Sequence, residues 1–339
     1  MTSTVRDAST DACCGAQAIA HPNIALVKYW GKSELPGNVP AVPSLSITLD
    51  NLCTRTRVLF DPALDADQVC MNDTALPAHA AATQRISESL DAFRALARCS
   101  LHARVNTCNN FPTGAGLASS ASGFAALAVA ADAALNTGLD RSTLSRMARR
   151  ASASAGRSLL GGFATLADAA TAADPAAEPL APAAHWPLEV VVAVCQEGTK
   201  QVGSSAGMRA SALTSPFYGR WLETAPADLA TATRSVLERD FKTLTQVAEA
   251  SCLKMHAVMQ STRPALLYWN AATMNVLQQI RALQQGGVQV FFTMDAGPQV
   301  KAVCIPADAP QVATALAEVP GVSRILRCGL GEGARVDHD

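Results

Sequence analysis

The sequence lacks the marks of several protein classes. Over 339 residues it has no Cys-x-x-C pair, and no apolar run reaches the roughly 20 residues needed to span a bilayer. No repeat appears at the periods of about 20–50 residues that mark solenoids or propellers. Its ten cysteines, at 13, 14, 53, 70, 99, 108, 195, 252, 304 and 328, are scattered, and no combined cysteine and histidine set has zinc-site spacing. They read as reduced thiols with mostly core roles, not as a disulfide framework or a zinc site. Lys+Arg 27 against Asp+Glu 28 gives a formal charge of -1, which excludes an electrostatic nucleic-acid or membrane binder. An anionic ligand must therefore be met by locally placed cations. The start, MTSTVRDASTDACCG, has no apolar h-region, so the expectation is a soluble cytoplasmic chain. At 49% hydrophobic, the chain can bury a large core, and its length favours about two domains.

Residues 1–17 are polar and read as unstructured, before an apolar run, AIAHPNIALVKYWGK, predicts one strand entering a loop at Gly31. Ser44 to Leu49 is a second strand. Ala80 to Arg98 carries Ile86, Leu90, Phe93 and Leu96 at helical spacing, and Leu101 to Val105 is a short strand. Ser142 to Leu160 predicts a helix stopped by Gly161-Gly162, followed by the strand GFATLAD. The Ala- and Pro-rich stretch Thr171 to Pro187 predicts a boundary or exposed loop, so the domains are expected over 18–187 and 188–330, with 331–339 a polar tail. Leu188 to Cys195 is a strand buried on both faces. Helices follow over Ala210 to Thr224, Thr231 to Met259, either whole or divided, and Leu266 to Gln284. Strands at Val288 to Met294, Val300 to Ile305 and Arg324 to Cys328 flank a helix at Pro310 to Val319. Mixed strands and helices in both halves predict an α+β fold.

The stretch Asn109 to Gly123, NNFPTGAGLASSASG, joins a glycine turn to small hydroxyl residues and an apolar helix. Unpaired N–H groups at such a helix start would face a docking anion. It is not the Walker pattern, since no Lys-Ser/Thr pair follows the second glycine. A glycine turn capping an ordinary helix would share the Gly-x-Gly. Lys28, in NIALVKYWGK, has apolar neighbours on both alternating faces; its ammonium either snorkels out at a strand end or meets a charge in a cleft. Arg157, among small residues in SASAGRSLLGG, has room for bidentate contact with a carboxylate or phosphate, or lies beside a helix end. Asp295, in FFTMDAGP, ends an apolar strand before a glycine turn, where it either caps the turn or serves a cleft.

Taken together these strings closely resemble the diphosphomevalonate decarboxylases of the GHMP kinase superfamily, through P-x-G-x-G-L-x-S-S, N-I-A-x-x-K-Y-W-G-K, S-A-x-R-S-L-x-G-G and D-A-G-P. Matches at Ser204 to Met208, Thr214 to Phe217, Trp221, His256-Ala257, Thr262 and Pro264 extend the resemblance over most of the chain; their expected role is packing. The resemblance implies the two-domain GHMP kinase fold with its active site between the domains. It implies ATP as co-substrate with Mg²⁺, held by Pro112, Thr113, Gly114, Ala115, Gly116, Leu117, Ala118, Ser119, Ser120 and Ser122, with Ser120 the hydroxyl at the metal. It implies Asp295, Lys28, Arg157 and Ser120 as catalytic groups. Tyr29, Lys32, Ser152, Ser154 and Arg157 would bind substrate, Arg157 at the substrate's carboxylate; Arg85, in R-x-x-x-x-L-x-x-x-R, would bind it too or is a solvated arginine on a polar helix face. A homodimer is also implied. The expected reaction is ATP-dependent decarboxylation of (R)-5-diphosphomevalonate; a 5-monophosphate substrate, a mevalonate 3-kinase and a non-catalytic ligand sensor are the alternatives. Val42-Pro43 departs from the family's Asn-Ser, removing two polar side chains from a loop expected to line the cleft.

Overall fold

Pro22 cuts the first apolar run into two strands. In the computed structural model, which describes residues 13–111, 117–196 and 202–338, β1 (Cys14–Ala20) and β2 (Asn23–Val27) lie in different sheets. A prolyl nitrogen has no N–H for a ladder, so the chain changes sheet there. The one strand expected over this run is thus two, and β1 already begins at Cys14.

The chain continues through β3 (Ser44–Thr48), β4 (Thr54–Phe60), β5 (Gln68–Met71), β6 (Thr74–Leu76), α1 (Ala81–Ala97), β7 (Ala103–Asn109), α2 (Ser119–Leu135), α3 (Arg141–Ala151), α4 (Ala155–Ser158), β8 (Phe163–Leu166) and β9 (Ala177–Ala181). The remainder supplies β10 (Glu189–Val194), α5 (Ser204–Thr214), α6 (Tyr218–Glu238), α7 (Phe241–Gln260), α8 (Ala271–Gln285), β11 (Val290–Met294), β12 (Val300–Cys304), α9 (Ala309–Ala317), β13 (Arg324–Cys328) and β14 (Arg335–Val336). Three sheets result, in the orders β14-β1-β4-β7-β5-β6, β2-β3-β8-β9 and β11-β12-β10-β13. Their pairing is antiparallel except where β5 meets β7, so the fold is α+β, as expected. No helix among the described residues is long and apolar enough to cross a membrane.

Helix α2 is buried almost all round, because its alanines let it lie close against Ala18 and Ala20 of β1 and Val58 and Phe60 of β4. A second core joins the two halves. Ile24 and Leu26 of β2 and Leu45 and Ile47 of β3 pack with Val190 and Val192 of β10, Val247 of α7 and Phe291 of β11. The ends of β2 and β11 are therefore held by one packed core.

Elsewhere the chain departs from the sequence expectations at identifiable breaks. The helix expected over 142–160 stops at Ser152, so that Ser152 to Ser154 form a bend before α4. The one expected over 231–259, whole or divided, is divided at left-handed Arg239 (φ 57), after which the Asp240 carboxylate accepts from Thr243 N at 3.0 Å and starts α7. Pro216 separates α5 from α6 inside the helix expected over 210–224. The Ala- and Pro-rich stretch contributes β9, paired with β8, and the polar tail returns as β14 beside β1. There Asp337 accepts from Gln17 Nε2 at 3.2 Å and Arg55 Nε at 3.1 Å.

Candidate active site

Lys28 follows β2 and is 1% exposed, so it does not snorkel. Its Nζ lies 2.7 Å from Asp295 Oδ1, and its backbone N–H donates to Ser251 Oγ of α7 at 2.9 Å. Asp295 follows β11 with 27% of its side chain exposed to a cleft. Its Oδ2 accepts from Lys301 Nζ of β12 at 3.1 Å, and Lys301 is 0% exposed. Burial pushes the Asp295 carboxyl up, but the two ammonium groups outweigh it and hold the carboxyl well below the usual carboxylate range. Asp295 is thus an anion at neutral pH. Beneath this group, buried His256 packs its ring 4.9 Å from that of Trp269. Burial, reinforced by Lys28, lowers its pKa to about 3, so it is a neutral ring.

Arg157 of α4 is 2% exposed. Its guanidinium donates through Nη1 to Ser44 Oγ at 2.7 Å and through Nε to Asn23 Oδ1 at 3.2 Å. Asn23 is itself fixed, since its Nδ2 donates to Ser154 O at 2.9 Å and Ser158 Oγ at 2.8 Å. Among the described residues no carboxylate lies within 4.0 Å of Arg157. Burial lowers its pKa to about 10, with Tyr29 and Asp295 opposing, which leaves it a buried cation at pH 7 without an ion-pair partner. Buried Tyr29 Oη, on the same cleft, has no hydrogen-bond partner among the described residues. A charge and a hydroxyl left open in a polar cleft suit an anionic ligand.

The cleft, of about 440 Å³, brings together Tyr29, Lys32, Arg85, Ala118, Ser120, Ser152, Ser154, Arg157 and Asp295. Lys32 Nζ donates to Ser205 Oγ of α5 at 2.9 Å. Burial, then the nearby charges of Arg85 and Arg209, lower the Lys32 pKa, so this end of the cleft gathers cations. Arg85 stands at the rim over the Phe124 ring, 4.8 Å from its centroid, and donates to Ala151 O at 2.8 Å. Helix α2 starts here after left-handed Ala118 (φ 56), with no side-chain cap. Ser152 Oγ donates to Ser120 Oγ at 3.4 Å. Ser119 and Ser120 also line an adjoining pocket of about 150 Å³ that reaches Asn109 and Phe124.

Seven sequence candidates stand otherwise. Pro112, Thr113, Gly114, Ala115 and Gly116 lie outside the described residues. Leu117 packs in the core between the halves. Ser122 turns inward, its hydroxyl 2.6 Å from Thr54 Oγ1 and donating to Ser119 O at 3.3 Å.

Residues 20–177 match the diphosphomevalonate decarboxylase-like N-terminal domain, and residues 190–326 match the mevalonate 5-diphosphate decarboxylase C-terminal domain. The chain belongs to the diphosphomevalonate decarboxylase family. A diphosphomevalonate decarboxylase of Candida albicans is 32% identical over 94% of this chain and 96% of its own. The Homo sapiens diphosphomevalonate decarboxylase is 36% identical over 81% of this chain and 73% of its own. Among solved structures, mevalonate diphosphate decarboxylase from Staphylococcus aureus superposes with a TM-score of 0.90 at 33% identity, covering 96% of this chain and 99% of that one. MDDEF in complex with MVAPP, AMPPCP and magnesium gives 0.89 at 35%, covering 97% of this chain and 100% of that one.

As a member of this decarboxylase family, the chain departs from the family string at Val42-Pro43, but not at the cleft. Val42 is 0% exposed and packs with Trp30, Trp221 and Met255, and neither residue lines the cleft. The expectation that this loop's lost polar groups alter the cleft is corrected; the adjacent Ser44 instead holds Arg157. Sequence reasoning missed Asn23 and Ser44 as supports of Arg157, and Lys301 altogether. Lys301 carries the same signal as Lys28, a lone lysine inside an apolar strand, V-K-A-V-C.

Proposed function

We propose that the cleft between residues 18–187 and 188–330 carries out ATP-dependent decarboxylation of (R)-5-diphosphomevalonate to isopentenyl diphosphate, CO₂, ADP and phosphate. The observation that carries this reading is the cleft's pairing of a partly exposed, lysine-clamped carboxylate, Asp295, with a buried guanidinium, Arg157, that has no ion-pair partner among the described residues. One group suits an alcohol and the other a carboxylate; the substrate carries both.

Asp295 orients the tertiary 3-hydroxyl and holds its proton as the oxygen attacks the terminal phosphoryl group and the bond to ADP breaks. Lys28, 2.7 Å from Asp295, offsets negative charge gathered at this centre. Arg157 holds the substrate carboxylate, so that when the 3-phosphate leaves with its bonding pair, the carbon–carbon bond breaks, CO₂ departs and a double bond forms. Tyr29, Lys32, Arg85, Ser152 and Ser154 receive the diphosphate tail. Ala118, Ser119 and Ser120, at the uncapped start of α2, meet the ATP phosphates. Magnesium bound with ATP would neutralise phosphate charge; held mainly by phosphates and water, it would need little more from the protein than the Ser120 hydroxyl, which lines both the cleft and the adjoining pocket. The family resemblance further supports a homodimer working in the cytoplasm, which sedimentation and cell fractionation test.

Purified protein offered mevalonate and its 5-mono- and 5-diphosphates tests the substrate. The 5-diphosphate should exceed the 5-monophosphate in kcat/KM at least about tenfold, since one charge-assisted contact is worth roughly 1.5–3 kcal/mol. A preference for the monophosphate would overturn the substrate assignment.

A further inference from the structure

Lys301 is assigned no step in the reading above, yet its position is costly. It stands on β12 between two paired strands, opposite Thr293 of β11 and Val192 of β10. At 0% exposure its ammonium is cut off from water, and burial lowers its pKa, with Asp295 opposing. For stability alone, an apolar side chain of similar volume would serve the strand as well or better.

We propose that Lys301 is a positioning residue for the decarboxylation, gripping the second oxygen of Asp295 so that the carboxylate is held in one plane between two ammonium groups. The inference rests on the decarboxylase reading. Torsion about a carboxylate's own bond is soft, and one ammonium on one oxygen leaves it free to turn. Lys28 at 2.7 Å on Oδ1 and Lys301 at 3.1 Å on Oδ2 remove that freedom from opposite sides. Each oxygen keeps lone-pair capacity for the substrate hydroxyl. The backbones carrying the lysines are fixed independently, one by Ser251 and the core between the halves, the other by two strand ladders.

The other groups facing Asp295 leave this role to the lysines. From α7 come His256, neutral in its apolar surroundings, and Cys252, whose thiol burial keeps protonated while it bonds the Met294 backbone. Arg157 of α4 acts on Asp295 only through its charge and is bonded elsewhere. With two lysines on one carboxylate, the free site carries excess positive charge, which the anionic substrate compensates on binding.

The test compares full-length wild type and Lys301→Met with ATP, Mg²⁺ and 5-diphosphomevalonate across pH. In the variant, kcat at pH 6 should fall at least about tenfold while KM for ATP changes less than about twofold, and the acid limb of kcat/KM should move about one pH unit or more higher. Substrate titration is common to both proteins, so the difference belongs to the enzyme. A folded variant with wild-type kcat and an unmoved limb overturns the proposal. So does a fall in kcat with an unmoved limb, which any packing defect could produce. If the variant fails to fold, wild type labelled with ¹³C at aspartate carboxyls decides by NMR, using Asp295→Asn to assign the signal: titration below the usual carboxylate range supports the clamp, and titration near 4 overturns it. Wild type that releases no CO₂ would instead refute the decarboxylase reading, while the NMR titration would still report on the clamp.

Discussion

Replacing Arg157 with Met separates a functional arginine from a structural one, because the two roles predict opposite balances of activity and stability. In the free protein the guanidinium is buried and, among the described residues, donates only to Asn23 and Ser44, both neutral. Removing it abolishes two hydrogen bonds worth about 1 kcal/mol each, but also relieves the desolvation of a charge, a penalty of several kcal/mol. These terms nearly cancel, so the melting temperature should stay within about 5 °C of wild type. Activity has no such offset. The substrate carboxylate loses a charge-assisted pair worth about 1.5–3 kcal/mol, which lowers kcat/KM roughly 10- to 150-fold. ATP affinity should change little, because this contact is to the other substrate. Calorimetry and steady-state kinetics on the same preparation read both quantities. A drop of more than about 10 °C with modest kinetic loss would make Arg157 a structural brace, and a loss confined to ATP affinity would mean the wrong ligand had been assigned to it.

Asp295→Asn, nearly isosteric, should abolish turnover and leave nucleotide binding nearly intact; retention of more than about a tenth of wild-type kcat, a loss below roughly 1.4 kcal/mol, counts against its role. His256 is held neutral, with its pKa lowered to about 3, so below the unfolded value near 6.5 the unfolded chain binds a proton that the native state refuses. Stability attributable to His256 is therefore lost as pH falls from about 6.5 towards 3, at up to about 1.4 kcal/mol per pH unit; urea titrations should show His256→Phe with an acid slope shallower by about one proton. An unchanged slope would mean that His256 is protonated in the native state. Gly31 has φ +120, and a Cβ there would clash with Tyr218 Oη, so Gly31→Ala should cost about 2–5 kcal/mol in denaturant unfolding and disturb neighbouring Lys32; a change below about 1 kcal/mol would contradict that packing.

Elements whose burial follows one periodicity were legible from sequence. Helix α1 buries Ile86, Leu90 and Phe93 as its spacing requires, although Leu96, at the end of that stripe, is 55% exposed. Strands β10, β11 and β12 read correctly as apolar runs because both their faces are covered. Strand β4 went unread despite the buried-exposed alternation of TRTRVLF, a period-two signal that was there to use. The division of the first run between two sheets was signalled by Pro22, but which strand joins which sheet depends on pairings far along the chain, such as Ala18 with Val336. At the site, charged groups in apolar or small-residue surroundings marked Lys28, Arg157 and Asp295 as needing partners, but local chemistry left snorkelling, a helix end and a turn cap open, and only the family strings chose the cleft. Ser122 was misread because Ser119, Ser120 and Ser122 look alike in sequence, while helical geometry turns Ser122 towards Thr54. Asn23 and Ser44 could not be assigned locally, since their work is to hold an arginine more than a hundred residues away.

The central claim is that ATP-driven phosphorylation of the hydroxyl and loss of the carboxylate are coupled in this one cleft. Substrate labelled with ¹⁴C in the carboxylate of 5-diphosphomevalonate measures this directly when released CO₂ and ADP are followed together. The account predicts equal molar amounts of the two throughout the reaction, and no labelled CO₂ when ATP is omitted. ADP formed while the label stays in a non-volatile product, or label released without ATP, would contradict it.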